Sequence, residues 1–461
     1  MTNAARPSRN PAKRLSAWRL GIYALPALPL AALTLPLYMV VPTFYTDVLG
    51  LPLGAVGVVL LAVRLIDAIS DPCVGWMADR YRPAFGRRRT AVAISILPTA
   101  VSAYMLLAPP AGAGLGYLFA WATALAVSFT VAYLPYVAWG AELETDYRGR
   151  SRVAGFRECG TLIGTLVAIA LPFAIDGGRV TDSTEGWHGL AVLGLSIGLV
   201  LVFSGGLALA VVPEPDEHSR RYRIAFREGL AAMAANRPFL RLIAAYLLNG
   251  LANGVPATLF LYFVEARFGL PDWQGPLLFT YFACGVLGVP LALFLSRQLS
   301  KHRAWCWAML FACAVFVVVP FLTGPMGAII FAVIVVVTGL ALGFDLSLPS
   351  SIQADVIDID TAATGEQRSG LYFSAWSLAT KLSLALGVGI AFPILQSVGF
   401  NASDGTNNSG TALFTLAALY GWTPIVFKLI AIALMWNFPL DEDAQTELRS
   451  RIETESVTLT P

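Results

Sequence analysis

RLIDAISDP, residues 64–72, places an arginine and two aspartates inside a run that reads LGAVGVVLLAV before it and CVGWMA after it. Arg64, Asp67 and Asp71 are spaced i, i+3, i+7, so a helix would align all three on one narrow stripe. The surroundings decide what that stripe faces. The chain has 461 residues, 57% hydrophobic and 13% charged, whereas soluble domains run at about 45–50% apolar and about 25% charged. A membrane protein is the class this composition fits.

Outward from that stretch, apolar runs of about 20 residues, enough to cross roughly 30 Å of hydrocarbon, recur along the whole chain, and we read about twelve of them. They cover 20–46, 52–77, 88–109, 114–141, 153–175, 188–213, 238–266, 273–297, 304–324, 326–354, 367–396 and 412–438. All are predicted helical, because lipid cannot satisfy exposed backbone groups. The basic N-terminal segment leads into a full-length span without a small-residue cleavage site, which reads as a retained first helix. The polar tail after Pro439 is too short to form a domain.

Arginines and lysines cluster before the first span, after the second (Arg80, Arg82, Arg87, Arg88, Arg89), after the fourth (Arg148, Arg150, Arg152), after the sixth and after the eighth. The intervening loops are nearly free of them apart from Arg179. By the positive-inside rule both termini are cytoplasmic, which requires an even number of spans. The long basic connection VPEPDEHSRRYRIAFREGLAAMAANRP divides the spans into two sets of six. The predicted organisation is an N-terminal half at 1–213, a cytoplasmic linker at 214–237, a C-terminal half at 238–438 and a cytoplasmic tail at 439–461. The linker has an amphipathic middle that suits the membrane surface, a clamp between the halves, or a solvated helix. The expected fold is all-α and integral to the membrane, in the major facilitator arrangement of twelve transmembrane helices in two six-helix halves, with substrate held between them near the midplane.

In such a bundle the stripe of the second span cannot face lipid. At about 1.5 Å per residue, Asp71 lies roughly 12 Å and Asp67 roughly 18 Å from the inner end of its helix, near the bilayer centre. Buried carboxylates there cost about 2.5–3.5 kcal/mol or more each, and two of them four residues apart repel unless a cation or proton lies between. A coupling-ion site made of Asp67 and Asp71, with Ser70 as a further oxygen, follows. A Na+ or a proton would serve. Pro72 supports it by freeing the carbonyl of Ala68. The competing reading is a fixed ionic core, with Arg64 neutralising one aspartate and another span the other.

Around these residues, FYTDVLGL, RLIDAISDPCVGWMADRY and FGRRR, together with ADVIDIDTAATGEQRSGLYFSAWSLATKLSLALG further on, resemble the glycoside-pentoside-hexuronide:cation symporters, the melibiose permease family of the major facilitator superfamily. The resemblance implies uptake of a solute coupled to Na+ or H+ by alternating access, with Asp67 and Asp71 on the family's cation-binding acids. It also places Lys381 on the family's helix-eleven lysine, Arg157 on a helix-five arginine, and Asn249 and Asn253 on a pair of helix-seven amides. The family's sugar-gripping acid of helix one corresponds to Ala31, its helix-four acid to Tyr133 and the tryptophan after that to Val137.

Lys381 lies about fifteen residues into its span, beyond the reach of either interface, so it should pair with an acid. Asp345, Asp67 and Asp71 are its candidates. Tyr133, Tyr136, Tyr372 and Trp376 are amphipathic aromatics suited to stacking on a ring or an acyl chain. Arg157, Lys381 and Asp345 join Tyr133, Tyr372 and Trp376 as the predicted substrate site. Asp79, Arg80, Asp355, Asp358 and Arg368 sit at cytoplasmic helix ends, where opposite charges on the two halves would close an inner gate, and Arg64 is placed with them as a gating group. Glu142, Glu144 and Asp146 are further candidates there.

The leading function is a secondary transporter that imports a small organic solute with Na+ or H+, a sugar or glycoside by resemblance. A lipid-like solute such as a lysophospholipid is the alternative, because the first span has lost its polar grip. The three histidines and five cysteines form no ligand pattern, and no nucleophile motif or phosphate-cradling glycine loop occurs, which argues against an enzyme. A receptor that moves nothing would survive neutralisation of Asp71. No cofactor beyond the coupling ion and no nucleic-acid partner is expected. The chain is expected to work as a monomer in the inner or plasma membrane.

Overall fold

The computed structural model describes residues 15–34, 41, 44–45, 49–81, 83–144, 146–175, 187–214, 226–366, 368–400 and 406–457, with a few side chains inside those ranges, Arg64 among them, outside the description. Every regular element among them is a helix. In chain order these are α1 (Ala17–Ala24), α2 (Ala27–Ala32), α3 (Leu53–Arg80), α4 (Arg87–Leu107), α5 (Leu115–Leu143), α6 (Tyr147–Ile175) and α7 (Trp187–Val211). A short α8 (Phe226–Ala235) follows, then α9 (Arg237–Phe268), α10 (Gln274–Leu299), α11 (Lys301–Phe316), α12 (Gly324–Thr364), α13 (Ser369–Ser397), α14 (Gly410–Met435) and α15 (Glu442–Val457).

Eight helices among the described residues are long and apolar enough to cross a membrane. The charged helices α3, α6 and α13 have 28, 29 and 29 residues, or about 42 Å each at 1.5 Å per residue, and so have the length a span needs. The first predicted span, 20–46, departs from a continuous helix. It is broken between α1 and α2, because Pro26 has no amide hydrogen and its ring crowds the preceding turn.

The predicted span 326–354 lies within a longer helix. Its helix α12 runs ten residues further, through Asp355, Asp358 and Asp360, and stops at Gly365, whose φ of 72° a side chain would resist. Within the predicted linker, α8 is followed at once by α9, whose first turn is capped by Asn236 accepting a hydrogen bond from the Phe239 amide at 3.1 Å.

In the N-terminal set, α3 packs on α5, α4 on α5 and α7, and α2 on α6; in the C-terminal set, α10 packs on α12, α11 on α12 and α14, and α9 on α13 and α14. The pairs correspond between the two sets. Two seams join them, α3 against α13 and α6 against α10 and α12. At the first seam the backbones nearly touch: a methyl group on Gly75 would sit 2.5 Å from the Gly370 carbonyl oxygen. The α3 stripe therefore faces the other half of the molecule.

Candidate functional site

Asp67 and Asp71 point inward from α3, 4% and 0% exposed, so they meet no lipid. The Lys381 ammonium reaches across from α13 and lies 2.7 Å from Oδ2 of each carboxylate. From α5, the Thr130 hydroxyl donates to Asp71 Oδ1 at 2.9 Å and lies 3.2 Å from Asp67 Oδ1. Two acids of one half thus share one ammonium of the other, in a medium where charge pairing is strong. Among the acids weighed as partners for Lys381, the structure selects those on α3 over Asp345. Ser70 donates to the Asp67 backbone carbonyl at 3.1 Å on its own helix, rather than to a carboxylate. The Arg64 side chain lies outside the described residues. Among the described residues no group of three or more His, Cys, Asp or Glu is gathered for a metal, so any Na+ site here rests on the acid pair with hydroxyl and carbonyl oxygens.

Across the bundle, α6 carries Arg157 and Glu158, both buried, with the guanidinium Nε 3.0 Å and Nη2 2.5 Å from Glu158 Oε1. Tyr23 stacks on Tyr136 at 4.9 Å, and each hydroxyl donates to the other residue's carbonyl oxygen, which ties α1 to α5. Tyr133 stacks on Phe129 at 5.4 Å, and both it and Tyr23 lie within electrostatic reach of the Arg157 guanidinium. From the other half, Trp376 stacks on Tyr246 at 3.6 Å, and the Tyr246 hydroxyl is 2.9 Å from Thr380, the residue before Lys381. Tyr133, Arg157, Trp376 and Lys381 therefore converge on the region between the halves.

The other two predicted substrate residues do not join them. Tyr372 lies in the first turn of α13, fully buried, where its hydroxyl accepts from Asn236 at 3.1 Å. Asp345 belongs to a separate cluster inside the C-terminal half. It accepts from Trp305 Nε1 at 2.7 Å and Asn253 Nδ2 at 3.0 Å, and it pairs with Lys428 at 3.3 Å, while Lys428 also donates to Asn249 at 2.6 Å. Lys428 escaped the sequence reading although a lone lysine in IVFKLIAIAL is a visible signal. Thr130 carried none, being one hydroxyl among many. Glu158 stood beside a residue already singled out.

At the end of the bundle where α3 stops and α13 begins, the halves are locked. Asp79 caps α13 across the seam, accepting from the Gly370 and Leu371 amides at 2.9 and 2.8 Å, where the helix dipole favours an anion. Arg150, at the start of α6, pairs with Asp355 at 3.0 Å and Asp358 at 2.8 Å on α12, and Lys301 closes on Asp355 at 2.5 Å. The arginine that bridges the seam is thus Arg150 rather than Arg80 or Arg368. Arg80 lies over the Trp76 ring of its own helix at 4.9 Å. Arg368 pairs with Asp360 at 3.0 Å within its own half. Glu142 binds Arg87 and Arg88 at 2.9 and 2.6 Å inside the N-terminal half. Glu144, in the turn after α5, accepts from the Leu15 amide at 2.7 Å, and burial pushes its carboxyl above the ordinary carboxylate range.

The fold is shared with solved transporters: the Escherichia coli fucose:proton symporter superposes with a TM-score of 0.61 over 90% of this chain and 98% of that one at 12% identity. Among curated proteins, the inner membrane symporter YicJ of Escherichia coli is 27% identical over 84% of this chain and 84% of its own. The isoprimeverose transporter of Lactiplantibacillus pentosus is 25% identical over 85% and 82%. A sodium-dependent lysophosphatidylcholine symporter of Danio rerio is 22% identical over 95% and 88%. A family model described as MFS/sugar transport protein matches residues 22–442. With two sets of helices that pack alike and that match over most of its length, the chain belongs to the MFS/sugar transport protein family and is a membrane transporter rather than an enzyme.

Proposed function

We propose that this protein couples the movement of Na+ or H+ to that of a small organic solute, a sugar or glycoside, bound between its halves. The halves are 1–213 and 238–438, joined by the linker 214–237, and both termini and the tail 439–461 lie in the cytoplasm. The protein sits in the cell membrane and works as a monomer.

The observation that carries the reading is the ammonium of one half lodged between two carboxylates of the other, deep in the bundle. Lys381 is a tethered cation in the position a coupling ion would take. An arriving Na+ or proton competes for Asp67 and Asp71 and releases Lys381 to the region between the halves, where Tyr133, Arg157 and Trp376 meet the solute. With both ligands in place the seam across α3 and α13 carries no uncompensated charge, and the halves can rock. The closed inner gate of Asp79, Arg150, Asp355 and Asp358 then opens. Ion alone leaves the gate shut.

A lysophospholipid remains the second reading, favoured by a first span, 20–46, whose sequence holds no charged residue. Proteoliposomes holding the purified protein, given isoprimeverose, methyl xyloside or lysophosphatidylcholine with and without an inward Na+ or proton gradient, decide between them. Gradient-driven accumulation of a glycoside supports the leading reading. Accumulation of lysophosphatidylcholine alone replaces it, and accumulation of nothing that depends on either ion removes the coupling.

A further inference from the structure

Glu158 is an acid for which the cation site has no use. Asp67 and Asp71 are occupied with Lys381 and Thr130, and Asp345 is saturated by three N–H groups. The described part of the first span brings Tyr23 to the region but no acid. On α6, eleven residues from its cytoplasmic start and therefore about 16 Å in, Glu158 stands at the depth of Asp71, about 14 Å from the end of α3.

Its two oxygens differ. Oε1 takes both contacts from Arg157, and Oε2 accepts from none of the described residues, yet it is not among their sealed, unpartnered polar atoms. The side chain is 9% exposed, so a small part of it is open. A buried carboxylate oxygen without a donor costs free energy that only a ligand or water can recover. Its charge acts on Tyr133 of its own half and on Tyr246 of the other, which places it at the seam rather than toward lipid.

We propose that Glu158, held by Arg157, is a specificity-determining residue that grips hydroxyl groups of a neutral polyhydroxylated ring; this rests on the reading of the chain as a glycoside symporter. The adjacent pair is neutral overall and offers an acceptor beside a set of donors. A vicinal diol matches that, one hydroxyl donating to Oε2 and its neighbour accepting from the guanidinium. A phosphate or carboxylate on the solute would meet Oε2 with like charge, and an ammonium would meet Arg157. The stacked Tyr246 and Trp376 opposite give an apolar face for the ring, the usual combination of aromatic wall and few polar groups in a small-molecule site.

The test compares isoprimeverose with the same disaccharide oxidised to a uronic acid, in ion-driven uptake by wild type and by Glu158→Gln. Wild type is expected to favour the neutral sugar by at least tenfold in kcat/KM. E158Q is expected to raise KM for the neutral sugar at least tenfold and to narrow the preference to less than threefold, with the Na+ or proton concentration that half-activates uptake unchanged. Where E158Q does not fold, Glu158→Asp keeps the charge but withdraws the oxygen by one methylene, and the same rise in KM is expected. If wild type accumulates the sugar and the variant matches it in KM and in preference, the assignment of Glu158 is overturned and the symport reading stands. If wild type accumulates no glycoside under either gradient, the symport reading fails and this assignment falls with it.

Discussion

Asp71 and Asp345 are both carboxylates held by a lysine inside the bundle, but their lysines come from different places. Asp345 on α12 meets Lys428 on α14, with Trp305, Asn253 and Asn249 completing the set, all within the C-terminal half. Asp71 on α3 meets Lys381 on α13, across the seam between the halves. When one half rocks against the other, the first cluster travels as a unit and the second must be remade. A charge pair inside a rigid body contributes to the integrity of that body. One that crosses the moving interface sets a condition on motion, which is what ion coupling requires.

The largest effect should separate the two at once. Asp71→Asn should reduce ion-driven accumulation by at least a hundredfold while the protein remains folded and elutes as wild type. Retention of full accumulation would show that the seam pair is no ion site. Lys428→Met should behave in the opposite way. It leaves Asp345 buried and uncompensated, which costs about 3–5 kcal/mol, and the loss should appear as a lower unfolding temperature in detergent. The double variant Asp345→Asn with Lys428→Met removes both charges and should regain most of that stability. If K428M unfolds at the wild-type temperature, the cluster is not the fixed core described.

Lys381→Met comes next in size. Removing the tethered competitor should lower the half-activating ion concentration about tenfold, equivalent to about 1.4 kcal/mol, while the dependence of solute entry on the ion weakens. Uptake assayed across a range of Na+ and proton concentrations checks both parts. Unchanged ion affinity would mean that Lys381 does not stand in the position of the ion.

The α3 stripe was legible before any coordinates, because three charges at i, i+3, i+7 in hydrocarbon admit few explanations. Spans and their pairing into halves followed from apolar length and from arginine-rich loops. What stayed hidden depends on contacts between distant segments. The choice of α3 acids over Asp345 for Lys381 turns on which helix faces which. Arg150 was counted only among orientation signals, since nothing in RGRSR says that its first turn abuts α12. The hinge at Pro26 was written in the sequence, but twelve proline-bearing spans make any single proline a weak indicator, and most of these helices carry theirs without breaking.

A further test concerns Thr130, whose hydroxyl completes the acid pair from α5. Thr130→Val keeps the shape and removes one hydrogen bond to charged oxygens, worth about 1.5–3 kcal/mol. The two candidate ions read that loss with opposite signs. A Na+ needs several oxygens, so losing one should raise its half-activating concentration by roughly tenfold or more. A proton needs none beyond the carboxylates, and a hydroxyl donating to the charged form competes with it, so protons should activate T130V at least as well as wild type. Measuring uptake of one sugar under a Na+ gradient and under a proton gradient therefore names the coupling ion from a single variant. Weaker activation by both ions, or by neither, would place Thr130 outside the ion's reach.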